Sequence, residues 1–388
     1  MNGADARQAH FEEVLDEATG IAALSPSSHN CQPWALARLA GGAREAARAH
    51  LGVEDGGTHE YLVLALDRRR ALGSLAAHAV EMHVSCGAYW RMLCRALAAR
   101  GWASTHTRIL VEGNGPDLGA DWPSTWSPLC VMAVDQAPPS GESLDGLRTA
   151  ARDRRTNRGP YRPEPIGPAL LRELARPPAG ADAGRVAVRH VTTEAERKTF
   201  ASFVARHAGR DFKDARAWRE THSFLRFDAG EVQARGDGFT LTQLFGPMSR
   251  LRHSAMRLAL SPAVMRLLCR VGFHRLLAVG LAAMVRRGPA LVAMSFTAEA
   301  PGLADELRGG ARLADYWLAA DRAGLGLHPV SVVLQHDDLR GQVQRRLGLD
   351  GRPFFLSRLG RPLAQAQPSV RRSETSGYST VGDSRHDH

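Results

Sequence analysis

Two short runs of the chain carry more chemistry than a connector needs. In SPSSHNCQPW, Ser25 to Trp34, serines, a histidine, an asparagine and a glutamine lie between two prolines, and the run closes on a tryptophan. The prolines stiffen the backbone while hydroxyls and amides offer hydrogen bonds in both directions, so the run suits something polar and flat. In RRTNR, Arg154 to Arg158, three guanidinium groups and one threonine hydroxyl fall within five residues. A guanidinium is a rigid fork of donors matched to phosphate oxygens, and Thr156 can add a short hydroxyl bond. Alone, RRTNR also reads as a solvated basic turn. A second pair, Arg371 and Arg372, could return over the same anion. The third element is GLGLHPVS, Gly324 to Ser331, where glycines let backbone amides approach a ligand closely.

Other chemistries are excluded by what the spacing lacks. There is no GxGxxG, no GxxxxGK[ST] and no GxSxG, so a dinucleotide fingerprint, a P-loop and a nucleophile elbow are all unsupported. His29, His328 and His336 are too scattered to argue for a metal, and none is expected. The five cysteines are odd in number and show no CxxC spacing, which fits buried thiols and a reducing cytoplasm. The net charge of +10 is carried almost wholly by arginines spread along the chain without interleaved aromatics, so no nucleic-acid partner is expected. The most apolar stretch, Met256 to Arg287, has a longest uncharged run of ten residues, about half of a bilayer crossing. It reads as a pair of buried or lid-like helices, and no membrane partner is expected. The polar, acidic N-terminus shows no signal peptide.

The elements that must position these runs follow from periodicity. Apolar residues at Phe11, Val14, Leu15, Ala18, Ile21 and Leu24 predict a helix over 7–24, stopped by Pro26. WALARL and EYLVLALD predict strands, a long helix runs from about Leu75 to Arg100, and PLCVMAVD predicts the next strand. QAPPSGESLDG, Gln136 to Gly146, is turn and linker material and marks a boundary. Beyond it come a strand at PALVAMSFTA and a helix at ARLADYWLAADRAG, with Gly324 placed as its cap. A loop LGLHPVSVVLQ, a helix capped by Asp337 or Asp338 and a strand PFFLSRLG complete the second half. Tyr316 and Trp317 read as core, Cys31 and Cys86 as buried thiols, and the Ser- and Gly-rich tail beyond Gln365 as disordered.

PSSxNxQPW before a strand, RRTNRGPY, and LAADRAGLGLHPVS, in that order, resemble the flavin-binding segments of the nitroreductase superfamily. The run LALDRRRALGSLAAHAVEMHVSCGAYWRMLCRALAARGW and RRTNRGPYRPEP resemble its Acg-like branch, in which two such halves are fused in one chain. The likeness spans residues 8 to 365 and is weakest over 185–287. It implies an α+β fold of two nitroreductase-like halves, mixed sheets flanked by helices, forming an internal pseudo-dimer in a monomeric chain. The halves are expected at 1–146 and 147–365, with an inserted helical lid at about 219–287 and a tail at 366–388. It also implies FMN as cofactor and NAD(P)H as a possible reductant. Arg154, Arg155, Thr156 and Arg158 would hold the FMN phosphate, with Arg371 and Arg372 as further partners. Pro26, Ser27, Ser28 and Asn30 would frame the flavin ring, and Pro329, Val330 and Ser331 would line its edge, offering a backbone amide to N5. No catalytic residue is assigned, though His29 inside the loop is a candidate proton donor.

The first half has no RRT-type segment before its loop and the second has no copy of PSSxNxQPW, so one flavin site per chain is expected. The implied activity is electron or hydride transfer through flavin N5 to a small-molecule acceptor. Two alternatives stay open: an FMN-binding or sequestering protein with little turnover, and a flavin-dependent oxidase or dehydrogenase acting on a biosynthetic intermediate.

Overall fold

The computed structural model describes residues 3–54, 58–111, 113–177, 184–372 and 377–382. The N-terminal periodicity winds into α1 (Gly3–Ala22), which buries Phe11, Val14, Leu15, Ala18 and Ile21 along one stripe. The proline-bounded loop leads to β1 (Trp34–Leu39), α2 (Gly41–Leu51), β2 (Glu60–Asp67) and the long α3 (Ala76–Ala99). Then come β3 (Trp102–Ile109) and β4 (Trp126–Gln136), and the four strands pair antiparallel in the order β1-β2-β4-β3.

The linker gives way to α4 (Leu144–Asp153), α5 (Pro168–Ala175), β5 (Val186–Val191) and α6 (Glu194–His207). A run of short elements follows: α7 (Gly209–Lys213), α8 (Ala215–Ser223), β6 (Leu225–Arg226), α9 (Ala229–Arg235), β7 (Phe239–Thr240) and α10 (Leu241–Phe245). Next are α11 (Arg250–Leu260), α12 (Pro262–Arg270) and α13 (Phe273–Arg287), then β8 (Ala290–Phe296) and the long α14 (Leu303–Arg322). β9 (Gly326–Pro329), α15 (Asp337–Leu347), β10 (Arg352–Gly360) and β11 (Ser379–Val381) complete the chain. The second sheet is antiparallel throughout, in the order β5-β8-β10-β9.

The two long helices α3 and α14 meet between the sheets, and glycines set how closely. A Cβ on Gly310 would come within 2.0 Å of the Val84 carbonyl oxygen, and one on Gly87 within 2.1 Å of that of Leu307. Backbone therefore touches backbone at this crossing, which no larger residue allows. Leu307 and Leu318 of α14 enter the core under the first sheet, while Val84 of α3 enters the core under the second. The chain is thus α+β, with helices flanking both sheets and one shared helical layer between them.

Several expectations are corrected. The tail is not disordered over its described part: β11 pairs parallel with β1, Leu39 opposite Val381, and Val381 is buried. The unpaired edge of β1, whose residues are all buried, accepts that strand. Residues 373–376 and 383–388 of the same tail lie outside the described residues. The returning strand makes the first sheet mixed; the second, which receives no such strand, is purely antiparallel. LGLHPVSVVLQ is not all loop, because its first part is β9, bonded to β10. His336, not Asp337 or Asp338, stands at the N-cap of α15, and both aspartates fall in its first turn. Met256 to Arg287 forms three helices, turned at Gly272, which takes φ +91°. Ala278, Ala282 and Val285 of α13 pack with α6 and α15 in the core behind the second sheet, so this end of the expected lid is core. Gly324 takes φ +72° directly after α14, as a capping glycine does.

Candidate functional site

The loop after α1 is held in a conformation that side chains resist. His29, Asn30 and Gln32 take φ of +51°, +53° and +51°, a region comfortable for glycine and tolerable for asparagine. Such residues cost about 1–3 kcal/mol each and persist where the surroundings over-determine them. Here the Gln32 backbone N–H donates to Ser27 Oγ at 3.0 Å, and that of Ser28 to Ser85 Oγ of α3 at 3.2 Å. Ser28 Oγ donates to Glu81 Oε2 at 2.5 Å, and Gln335 donates to the other oxygen of Glu81 at 2.6 Å. Glu81 thereby ties the loop to the chain beyond β9. Trp34 anchors the far end, buried and stacked on Tyr89 with centroids 5.0 Å apart.

Asn30 spends its amide on protein. Its Nδ2 donates to the carbonyls of Gly238 at 3.1 Å and Val370 at 3.0 Å, and its Oδ1 accepts from Arg371 Nη1 at 2.7 Å. Gln32 reaches the Gly236 carbonyl at 2.8 Å, and Arg372 donates to the Gln32 carbonyl at 3.2 Å. The loop is therefore wedged between α3, the segment around Gly236 to Phe239, and the returning chain at Val370 to Arg372.

The arginine run follows α4 directly and is fixed beside β9, where the Asn157 N–H donates to the Leu327 carbonyl at 2.8 Å and Thr156 bridges to Leu327. Its members divide. Arg154 and Arg371 both donate to one oxygen, the Leu24 carbonyl, at 3.2 and 3.0 Å. Arg154 also lies over the Trp317 ring, 4.8 Å from its centroid. Burial, then Arg371, holds the Arg154 guanidinium down to about 9; burial, then Arg155, holds that of Arg371 down to about 10. Arg155 donates only to the Arg154 carbonyl among its described bonds, at 3.2 Å, and the Nε of Arg155 and of Arg371 are buried without a hydrogen-bond partner. Three guanidiniums crowd together with donors to spare, which is costly unless an anion completes the site.

Arg158 sits elsewhere. Its guanidinium lies 5.4 Å over the Phe239 ring, and burial lowers it to about 10. His29 shares that surrounding: its ring is 5.8 Å from Phe239, its Nδ1 3.1 Å from Ser28 Oγ and its Nε2 3.2 Å from Thr221 Oγ1. Burial, then His78, lowers His29 to about 4, so the imidazole is neutral at pH 7. The Pro329 to Ser331 segment ends β9, and the Val330 N–H, a candidate donor to a ring, is taken by the Leu356 carbonyl at 2.8 Å.

The structure thus joins Pro26 to Asn30 with Arg371, and Arg154 and Arg155 with Thr156 and β9, while separating Arg158 from the other arginines. Sequence reasoning missed Glu81, Thr221 and Phe239. Glu81 had a signal, as the one acidic residue in the otherwise uncharged run from Ala76 to Trp90. Thr221 and Phe239 had none, because they arrive from a distant segment.

A cofactor phosphate can be tested against these residues. The buried, unbonded Nε atoms, with Arg154 lowered beside Arg371 and Arg371 lowered beside Arg155, mark a place where positive charge is in excess, so the donor set fits a phosphate. Among the described residues there is no group of three or more His, Cys, Asp or Glu able to hold a metal ion. No single described helix is long and apolar enough to cross a membrane; α12 and α13 pass that test only as a pair bent by 90°.

No protein-family profile matches the chain. Over 367 residues, 94% of this chain and 92% of the relative, it is 31% identical to "Probable NAD(P)H nitroreductase PigM" of Serratia sp.. Among solved structures it is similar to the FMN-dependent nitroreductase NfnB of Mycobacterium smegmatis, solved with NADPH, at 15% identity and a TM-score of 0.37. That alignment covers 59% of this chain and 95% of the other. The FMN- and NADPH-dependent NfnB of Sphigopyxis sp. strain HMH gives 18% identity and a TM-score of 0.37, over 58% of this chain and 94% of the other.

Proposed function

The chain belongs to the nitroreductase family, and from that premise we propose that it is an FMN-dependent oxidoreductase passing reducing equivalents from NAD(P)H to a small organic acceptor. The observation that carries the cofactor assignment is the convergence of Arg154 and Arg371 on the Leu24 carbonyl, with Arg155 beside them and buried donors left over. Arg154, Arg155 and Arg371 hold the phosphate, and Thr156 adds its hydroxyl. Pro26, Ser27, Ser28 and Asn30 stand on one side of the ring and Pro329 to Ser331 on its edge. When bound, FMN supplies the electron-transfer chemistry that no side chain here can perform. In this arrangement the two halves act as an internal pseudo-dimer, the first giving the loop and the second the clamp.

The chain's own residues orient and protect that site. Asn30 fixes Arg371 through its Oδ1 and so couples the loop to the clamp. His29 is kept neutral by burial, with Nδ1 toward Ser28 Oγ and Ser28 toward Glu81. Because Ser28 gives its one hydroxyl proton to Glu81, the neutral ring donates its Nδ1–H to Ser28 Oγ and accepts from Thr221 Oγ1 at Nε2, which sets the tautomer of the candidate proton donor His29. Denaturing the purified protein and chromatographing the released ligand tests the assignment, with one FMN per chain expected. FAD, no flavin, or two FMN per chain would overturn it.

A second reading is favoured by the bonds that Gln32 and Asn30 donate to the Gly236 and Gly238 carbonyls, which cover the loop. Under it the protein holds FMN with little turnover. Anaerobic addition of NAD(P)H decides: bleaching of the flavin absorbance within seconds supports the oxidoreductase, and an unchanged spectrum supports the holder.

A further inference from the structure

We propose that α11, α12 and α13 form a docking surface for an anionic lipid bilayer. From Arg250 to Arg287 the chain has eight arginines and no Asp, Glu or Lys. Five of those arginines are each followed by an apolar residue turned to solvent: Leu251, Leu258, Leu267, Val271 and Leu276, with exposures of 83, 64, 60, 81 and 64%. Val279, one turn beyond Leu276, is exposed as well. The helices do not lack a core. Leu260 of α11 and Met265 and Cys269 of α12 pack with Trp218, Leu225 and Leu241, while α13 buries Ala278, Ala282 and Val285 on its other side. Each helix therefore carries a second apolar stripe, interleaved with arginine, that the fold leaves uncovered.

The composition of that stripe selects the occupant. None of the eight arginines has an ion-pair partner among the described residues, and Arg257 rests on the Phe227 ring. Leucines beside unpaired arginines suit a headgroup boundary, where apolar side chains enter the acyl edge and guanidiniums reach back to lipid phosphates. A second copy of the chain would bring eight uncompensated arginines against eight more. Nucleic acid would satisfy the arginines and leave the leucines in water. The arginine spacing and the 90° bend between α12 and α13 favour helices that lie on the bilayer over helices that cross it. The surface belongs to the same packed unit as Phe239, whose ring faces His29, and the assignment does not depend on the cofactor.

Flotation of the full chain with vesicles tests this. The protein is expected to rise with phosphatidylcholine vesicles containing about one-third phosphatidylglycerol, to stay behind with pure phosphatidylcholine, and to be released by salt. Removing three charges by Arg266→Gln, Arg270→Gln and Arg275→Gln should weaken partition roughly a hundredfold, at about fivefold per arginine. Leu267→Ser, Val271→Ser and Leu276→Ser together should also abolish flotation while leaving every charge in place. All six positions are exposed, so the melting temperature should not move. Equal partition into neutral and anionic vesicles, no partition, or an apolar triple variant that floats like the native chain would overturn the proposal. So would a concentration-dependent dimer that the apolar triple abolishes, or retarded DNA mobility without vesicle binding.

Discussion

Replacing Arg155 by glutamine separates what the arginine cluster does for the fold from what the proposed phosphate clamp does for a ligand. In the structure Arg155 gives one described hydrogen bond, to the Arg154 carbonyl, and its Nε has none. Losing that bond costs about 1 kcal/mol, and relief of repulsion from Arg154 and Arg371 offsets part of it, so the apo-protein should melt almost as before. Against a phosphate the account differs, because a bond to a charged group contributes about 1.5–3 kcal/mol, or tenfold to a hundredfold in affinity. With FMN at about a hundred times the native dissociation constant, the ligand stabilises the native chain by about 2.7 kcal/mol. A roughly thirtyfold weaker site leaves about 0.9 kcal/mol, so the FMN-dependent rise in melting temperature should shrink by more than half. Fluorescence titration of apo-protein with FMN and with riboflavin completes the assay. Riboflavin lacks the phosphate, so Arg155→Gln should leave its affinity unchanged. If FMN binds the variant as tightly as the native chain, or if both flavins weaken together, the guanidinium cluster is not the phosphate site.

Three further perturbations test other links. His29→Asn keeps a residue that tolerates positive φ but removes a base held near 4; in the native chain the unfolded state takes up that proton first, so stability is full above about 6.5 and is lost as pH falls toward 4. Denaturant titrations at pH 7 and pH 5 should show a shallower loss for the variant, by up to about 2 kcal/mol of the native chain's fall, and parallel curves would refute a buried neutral His29. Gly310→Ala places a methyl 2.0 Å from the Val84 carbonyl and should destabilise by about 1–3 kcal/mol or more, measured by chemical denaturation; a neutral effect would show that α3 and α14 do not touch there. Ending the chain after residue 376 removes β11 and uncovers the β1 edge; light scattering on warming should rise at a lower temperature, and identical curves would mean that β11 does not cover that edge.

Local chemistry made much of this molecule legible. The stripe of α1, the dense runs of β2, β4 and β8, and the lengths of α3 and α14 follow from period and composition, because each buries one continuous face. β3 was not legible, since most of its residues are exposed and polar, and it holds its place through pairing with β4. β9 was hidden by its glycine and proline, whose turn-like character is overridden by the ladder to β10. The arginine run and the proline-bounded loop could be singled out from residue types as a candidate site, yet the division of the run could not: that Arg158 leaves Arg154 and Arg155 for Phe239 depends on a segment eighty residues away. Long-range packing of this kind leaves no periodic trace.

The returning chain is where fold and site become one problem. Arg371 donates to Asn30, Leu24 and Ser25, all from the first half, and a few residues later the same chain adds β11 to the first sheet. The third guanidinium of the proposed clamp therefore lies on the chain that leads to β11, whose own place depends on the β1 edge. Arg154 arrives at the same Leu24 carbonyl from α4, so two independent routes position charge at one point. Like charges brought together by such routes repel when the site is empty, and an anion reverses the sign of that interaction. Binding the phosphate should accordingly tighten the docking of the tail, and the apo-protein should lose its C-terminal segment to protease faster than the flavin-loaded protein. A tail cut at equal rates in both states would mean that β1 pairing alone holds it, and that Arg371 is a passenger of the strand.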